Sequence, residues 1–273
     1  MGAWLHHRLD DTTDVTSLLT HRRFVYDDLR PVVAHDPYRP HTFVWFHRDL
    51  RDEPLVPGPM TVLHHDERLV VVDKPAFLST IPRGRHVRQS VVVRLREELG
   101  LPELSPLHRL DRVTSGLLVL ATERRWRAPY QRLFEGGEVR KTYGALAGYR
   151  PALALPVVVR DHLRAVKGDG RAEVVAGAPV NAETLVELES REGDVARYRL
   201  TPRTGRTNQL RTHLCTLGIP IIDDPLYPLD RDVAPDDFSR PLQLLAAELA
   251  FTDPVDGSER RFVSGRTLPL LPA

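Results

Sequence analysis

Four short segments of this 273-residue chain hold side chains that could do chemistry together. The first is His108-Arg109-Leu110-Asp111-Arg112-Val113-Thr114-Ser115-Gly116. It sets a carboxylate, two guanidinium groups, two hydroxyls and a glycine directly before the apolar run 117–121. Loop residues at the lip of a buried strand are a common seat of catalytic groups. Asp111 is the candidate, because a carboxylate can serve as nucleophile or base and an acid beside an apolar strand needs a partner. A structural reading stands beside it: Asp111 caps the Thr114 and Ser115 amides, or pairs with Arg109.

The second segment is 202–213, Pro-Arg-Thr-Gly-Arg-Thr-Asn-Gln-Leu-Arg-Thr-His. Gly205 permits a tight turn, and the free amides of a helix starting just after it can hold an anion. Arg206 stands at that start, and Arg211 lies one turn further in, beside Asn208 on the expected polar face. A phosphate or carboxylate could be gripped there, although a solvated helix face would use the same residues. The third segment, Lys141-Thr142-Tyr143, puts a cation and an aromatic on one face of a strand. That pair could cradle a base, or belong to an ordinary half-buried strand. The fourth is Asp73-Lys74-Pro75, at the end of an apolar run, and Lys74 is one of only three lysines, with Lys141 and Lys167.

The elements that must position these groups can be read from periodicity. Residues 69–73 (Leu-Val-Val-Val-Asp) read as a buried strand and 116–122 as another. Residues 90–99 read as a helix with Ser90 as N-cap, Val91, Leu95 and Leu99 on one face, and Gly100 as its stop. A second helix is expected over 123–134 with Trp126, Tyr130 and Leu133 or Phe134 inward. A third is expected over 207–217, capped by Thr207, with Leu210, Leu214 and Leu217 as its apolar stripe. Strands are expected over 139–148, 184–188 and 195–201, the last two paired. Strand and helix signals mix without strict alternation, which predicts an α+β fold with a largely antiparallel mixed sheet flanked by helices.

Residues 1–57 read as a separate accessory segment, and 58–273 as the main domain. Proline, histidine and aspartate crowd 31–40, residues 42–46 form a short strand, and 53–59 has the composition of a linker. No apolar run approaches the ~18–20 residues of a membrane span. The first ten residues hold no apolar signal core. Cys215 is the only cysteine, so neither an internal disulfide nor a cysteine metal cage is expected. The twelve histidines show no helical His-x-x-x-His pair, and no metal is expected. A cytoplasmic enzyme fits these features. Net charge is only +1, but lysine accounts for just three of the 38 Lys and Arg residues. Arginine favours bidentate phosphate contacts, and a GC-rich genome would also write arginine for lysine.

Taken together, the segments resemble the RluA-type pseudouridine synthases at four places, in the family's order. Residues 69–75 look like its strand ending in Lys-Pro, and 108–118 match its HRLDxxTSGL motif. Residues 139–143 are similar to its Val-x-Lys-x-Tyr strand, and 202–214 follow its PxTGRTHQIRxHL pattern. Residues 219–227 continue in the manner of GHPILGDxxY, and 244–251 resemble a late strand completing the sheet. The resemblance covers 60 to about 255 and implies a pseudouridine synthase-like catalytic domain that isomerises uridine to pseudouridine in rRNA or tRNA without a cofactor. It implies that Asp111 is the catalytic aspartate, Tyr143 the aromatic that stacks on the target uracil, and Arg211 the arginine that positions the aspartate. Arg109, Arg206, Lys74, Lys141 and Asn208 would contact RNA. A monomer is expected.

The chain departs from the pattern at Asn208, where histidine is usual, at Leu245 within the usual Leu-His-Ala, and at Asp223, where Gly-Asp is usual. It also lacks, in front, the small RNA-binding domain with a glycine-valine-rich hairpin that many relatives carry. These departures leave room for a non-catalytic RNA-binding protein on the same fold. A hydrolase with an aspartate nucleophile is a further alternative, but it needs a second carboxylate opposed to Asp111. Only Asp73, Asp223 and Asp224 stand in the motifs.

Overall fold

A computed structural model describes residues 1–9, 13–46, 52–84, 86–166, 170–231, 233–234 and 236–270; Lys167 lies outside them. The chain divides into two compact units, Met1–Asp52 and Glu53–Ala273. In the first, helices α1 (Gly2–Arg8) and α2 (Val15–Thr20) precede a ribbon of β1 (Phe24–Tyr26) and β2 (Val44–Phe46). The Asp14 carboxylate caps α2 by accepting the Ser17 amide at 2.9 Å. β1 and β2 pair antiparallel, Phe24 opposite Phe46 and Tyr26 opposite Val44. Phe24 and Tyr26 turn inward onto Leu5, Val15 and Val32. The strand expected at 42–46 thus forms over its last three residues. Its partner is three residues long, too short for alternation to reveal.

In the second unit the chain runs β3 (Thr61–His65), β4 (Leu69–Lys74), α3 (Val91–Leu99), β5 (Ser105–Pro106), β6 (Ser115–Ala121), α4 (Arg124–Gly136) and β7 (Arg140–Gly148). It continues through β8 (Val157–Asp161), β9 (Leu163–Ala165), β10 (Ala172–Val174), β11 (Ala182–Glu192), β12 (Val195–Pro202), α5 (Gln209–Thr216), β13 (Leu244–Thr252) and β14 (Glu259–Val263). The main sheet follows the order β3-β4-β6-β13-β7-β12-β11-β8, with β5 on β6 and β14 on β13. Every pairing in it is antiparallel except β13 with β6. The α+β fold read from the sequence is the fold observed. Among the described residues no helix is long and apolar enough to cross a membrane.

β4 and β6 are buried at every residue because both their faces are covered. Val70, Val72, Leu118 and Leu120 pack with Val91, Val92 and Leu95 of α3. Leu69, Val71, Leu117 and Val119 pack with Tyr130 and Leu133 of α4. Two covered faces produce the continuous apolar runs seen in the sequence. β7 and β12 instead alternate. Ala145, Ala147, Ala196, Tyr198 and Leu200 face Leu210 and Leu214 of α5. The sheet therefore holds the start of β6, the middle of β7 and the start of α5 in fixed register.

Two local expectations change. Ser90 occupies the N-cap position of α3 but makes no capping bond; its hydroxyl donates to the Val87 carbonyl at 2.8 Å. Residues 53–59, which have the composition of a linker, are tied to the second unit. Glu53 accepts the amides of Val87, Arg88 and Gln89, and Val56 is buried in the α3 core.

Candidate active site

Asp111 lies in the turn between β5 and β6. Its carbonyl accepts the Thr114 amide at 3.1 Å, which closes the turn and leaves the carboxylate free of the capping role. The turn is held from behind: the Thr80 hydroxyl donates to the Leu110 carbonyl at 2.8 Å and accepts the Leu110 amide at 3.2 Å. Gly116 follows with φ +107, and a Cβ there would lie 2.3 Å from the Ala246 carbonyl oxygen. Glycine is required because β6 and β13 approach closely at this point, where Gly116 pairs with Ala246.

The Asp111 side chain is 38% exposed and its Oδ2 accepts from Arg211 Nη1 at 3.4 Å. Arg211 is 3% exposed and is locked in place. Its Nε and Nη2 form a fork onto the fully buried Asp224 carboxylate, at 2.8 and 2.5 Å. Nη1 also donates to Asn208 Oδ1 at 3.1 Å, and the guanidinium carbon lies 5.4 Å from the centre of the Tyr227 ring. Asp224 in turn accepts the Leu226 and Tyr227 amides. Burial works against the Arg211 charge, but Asp224 and then Asp111 more than offset it, and the net effect raises its pKa. The result is one buried cation presenting a single N–H to the half-exposed carboxylate.

Tyr143 is half-buried and packs, as Val113 does, between the α3 and α5 cores. Burial, and then the charge of Asp111, push its phenol well above the ordinary value. Aspartate, tyrosine and arginine thus share one neighbourhood, although they come from a turn, a strand and a helix far apart in sequence. A cleft of about 580 Å³ borders it, walled by Arg112 and Val113 on one side and by Phe77, Leu226 and Arg240 on others.

The remaining expected residues divide. Arg109 and Arg206 are exposed, and among the described residues the Arg206 side chain uses only its Nε, on the Asn181 carbonyl. Lys141 is half-buried on β7 and its ammonium lies near the Gly205 turn; burial lowers its pKa. Lys74 and Asn208, expected to contact RNA, face inward instead. Lys74 is 0% exposed and donates to the carbonyls of Pro75, Leu78 and Arg112 at 3.0, 2.8 and 3.2 Å. Three N–H groups meet three carbonyls, so none is left for RNA. Asn208 is buried, adopts the left-handed conformation at φ +52, and bonds Gly170 and Arg211. The helix begins at Gln209, with Asn208 rather than Thr207 as its N-cap residue. It is buried from Gln209 to Leu214, so the expected solvated face is absent.

Two motif residues that were given no role in the site take one in the structure. Asp224 anchors Arg211, and His108 accepts the Val119 amide at 3.2 Å while stacking on Phe134. A buried arginine needs a carboxylate, and that rule could have drawn attention to Asp224. Asp73 is bound to Ser264, Gly265 and Arg266, and Asp223 to Arg240. Neither these nor Asp224 is a free carboxylate opposed to Asp111.

A fold of this order with an aspartate–arginine pair at a turn before a central strand defines the class, and comparison with known proteins agrees. The family model described as RNA pseudouridylate synthase matches residues 68–216. The dual-specificity RNA pseudouridine synthase RluA of Yersinia pestis is 32% identical over 210 residues, covering 74% of this chain and 97% of that protein. RNA pseudouridine synthase 7 of Oryza sativa subsp. japonica is 33% identical over 182 residues, covering 64% of this chain. The chain spans 46% of that rice protein's length, and 32% of the human pseudouridylate synthase RPUSD2. Among solved structures, human RNA pseudouridylate synthase domain containing 4 is similar with a TM-score of 0.57 at 26% identity, covering 76% of this chain and 88% of that one. The chain belongs to the RNA pseudouridylate synthase family, in its RluA-type branch.

Proposed function

We propose that this protein isomerises uridine to pseudouridine in structured RNA, rRNA or tRNA, with Asp111 as the catalytic residue. The observation that carries the reading is the half-exposed Asp111 carboxylate held by a buried arginine that Asp224 immobilises. The reaction breaks the bond from ribose C1′ to uracil N1, turns the base over, and joins C1′ to C5. The hydrogen on C5 leaves as a proton and N1 gains one, so atoms balance without a cofactor. The target base must first leave its stack, and Tyr143 holds it by stacking, worth ~1–3 kcal/mol. The Asp111 carboxylate then either attacks carbon or removes a ribose proton as the base departs. Both routes need it to stay in place while the base rotates, and Arg211 is the positioning residue that does this.

Arg109 and Arg206 contact the RNA backbone, with local RNA structure giving selectivity. Lys141, whose ammonium lies beside the Gly205 turn, contacts the RNA as well. The enzyme works as a monomer in the cytoplasm. The test is tritium release from RNA labelled at C5 of uridine, with Asp111→Asn as control. Release by the parent protein and none by the variant is the expected result, with fold and RNA affinity kept. Turnover of the variant within tenfold of the parent removes Asp111 from catalysis.

A further inference from the structure

The first unit carries an aromatic surface that its own fold does not use. β1 and β2 turn Phe24, Tyr26, Val44 and Phe46 into the core of that unit. Alternation sends Phe43 and Trp45 to the other face, where they are 68% and 59% exposed. Their rings are 23° from parallel with centroids 6.4 Å apart. Two residues apart on one face of the strand, the rings present neighbouring flat surfaces to solvent. The indole is not free to turn aside, because Trp45 Nε1 donates to Asp27 Oδ1 at 2.5 Å.

Phe43 also lines a cleft of about 620 Å³, together with Arg39, His41, Arg30, Asp27, Asp28 and Asp36. The carboxylates there are already engaged. Asp27 holds Trp45, Asp28 accepts the Arg30 amide, and Asp36 accepts Tyr26, Arg30 and Val33. Arg39 and His41 are exposed and bond no other described residue. The cleft therefore offers flat rings and the unspent donors of Arg39 and His41, while each of its three carboxylates is already turned to a donor within the unit. A planar, anionic occupant matches both features. A cationic peptide would also stack on the rings, but it would meet Arg39.

We infer that the Phe43–Trp45 ribbon binds unpaired nucleotides of the RNA substrate, with bases stacked on the two rings and backbone phosphate held by Arg39 and His41. This rests on the reading of the chain as an RNA-modifying enzyme, but concerns a site apart from Asp111. Aromatic stacking of this kind tolerates any base and gives affinity rather than sequence choice.

The experiment uses the full chain. RNA carrying photoactivatable 4-thiouridine on either side of the modified uridine is bound, irradiated and digested, and the cross-linked peptides are identified. In parallel the affinity for that RNA is measured for Phe43→Ala, Trp45→Ala and the conservative Trp45→Phe. The expected result is cross-links at Phe43 or Trp45, affinity at least about tenfold weaker in each alanine variant, and recovery in Trp45→Phe. Cross-links confined to the second unit, with affinity unchanged in both alanine variants, overturn it. A changed sedimentation coefficient in the alanine variants with unchanged RNA affinity also overturns it, and assigns the rings to contact between copies. Tritium release by the parent protein is read separately. Its failure counts against the isomerase reading and leaves the cross-link result to stand or fall alone.

Discussion

Asp224 has no exposed atom to offer a substrate, yet the geometry makes Asp111 depend on it. Two of the three nitrogens of Arg211 are committed to Asp224, which fixes the direction in which the third points. Removing one partner of a buried pair leaves the other charge uncompensated, at a typical cost of ~3–5 kcal/mol. Asp224→Ala should therefore destabilise by that order in urea unfolding and lower turnover with it. Arg211→Lys keeps the charge but cannot form the planar fork, so it should fold and bind RNA while kcat falls. Retention of parental kcat by that variant would show that charge alone suffices. Gly116 is a residue of another kind. An added Cβ would meet backbone rather than a movable side chain, and φ +107 is unfavourable for any L-residue. Gly116→Ala should lower the thermal midpoint by several degrees, and an unchanged midpoint would mean that β13 can yield. At this scale the gathering of Asp111, Tyr143 and Arg211 in one place was legible because their neighbours repeat a known pattern. Lys74 and Asn208 were misread as RNA contacts because a motif names residue types and not which way they point. The departures at 223 and 245 are explained by place. Asp223 takes the left-handed φ +61 that glycine would adopt freely, and Leu245 is buried between β6 and β7.

Lys74 links elements rather than touching substrate. It ends β4 and ties the loop after that strand, at Pro75 and Leu78, to the Asp111 turn at Arg112. Burial lowers its pKa from 10.5 to about 7; Asp111 opposes the shift, and Arg266 and Arg112 add to it. The unfolded chain holds this proton up to about pH 10.5, whereas the native one releases it near 7. Between those values the unfolded state binds more protons, so the Lys74 contribution to stability rises with pH. Lys74→Met removes the titration and leaves three carbonyls without a donor. Its urea midpoint should lie below the parent's at pH 7, and the gap should widen at pH 8 and 9. A gap that stays constant over that range would mean an ordinary lysine pKa in the folded state. The elements that sequence revealed were those with a strong pattern: the doubly covered β4 and β6, the amphipathic α4, and the alternating β12. The hairpin of β9 and β10, and β14, escaped notice. β9 and β10 are three residues each, and β14 is Glu-Arg-Arg-Phe-Val at the margin of the sheet. Short or exposed strands have no two-residue apolar rhythm to read.

Across the whole molecule, a net charge of +1 hides an uneven use of arginine. Several guanidinium groups are spent on carboxylates within the protein: Arg211 on Asp224, Arg266 on Asp73 and Arg260 on Asp253. Such groups cannot release counterions from RNA. The arginine count therefore overstates the electrostatic footprint, and the sequence alone could not separate the two populations. Arg109 and Arg206, exposed and with donors to spare, belong to the second. RNA affinity should fall as salt rises, with a log–log slope that counts phosphates contacted. Arg109→Ala and Arg206→Ala should each weaken binding at low salt and reduce the magnitude of that slope by about one. Arg260→Ala should leave the slope unchanged, because its charge is matched within the protein by the buried Asp253. The measurement is a salt titration of RNA affinity with each variant, between about 50 and 200 mM. Equal slopes for all three variants and the parent would mean that RNA is held by contacts other than these arginines, and the phosphate contacts would have to be sought elsewhere on the chain.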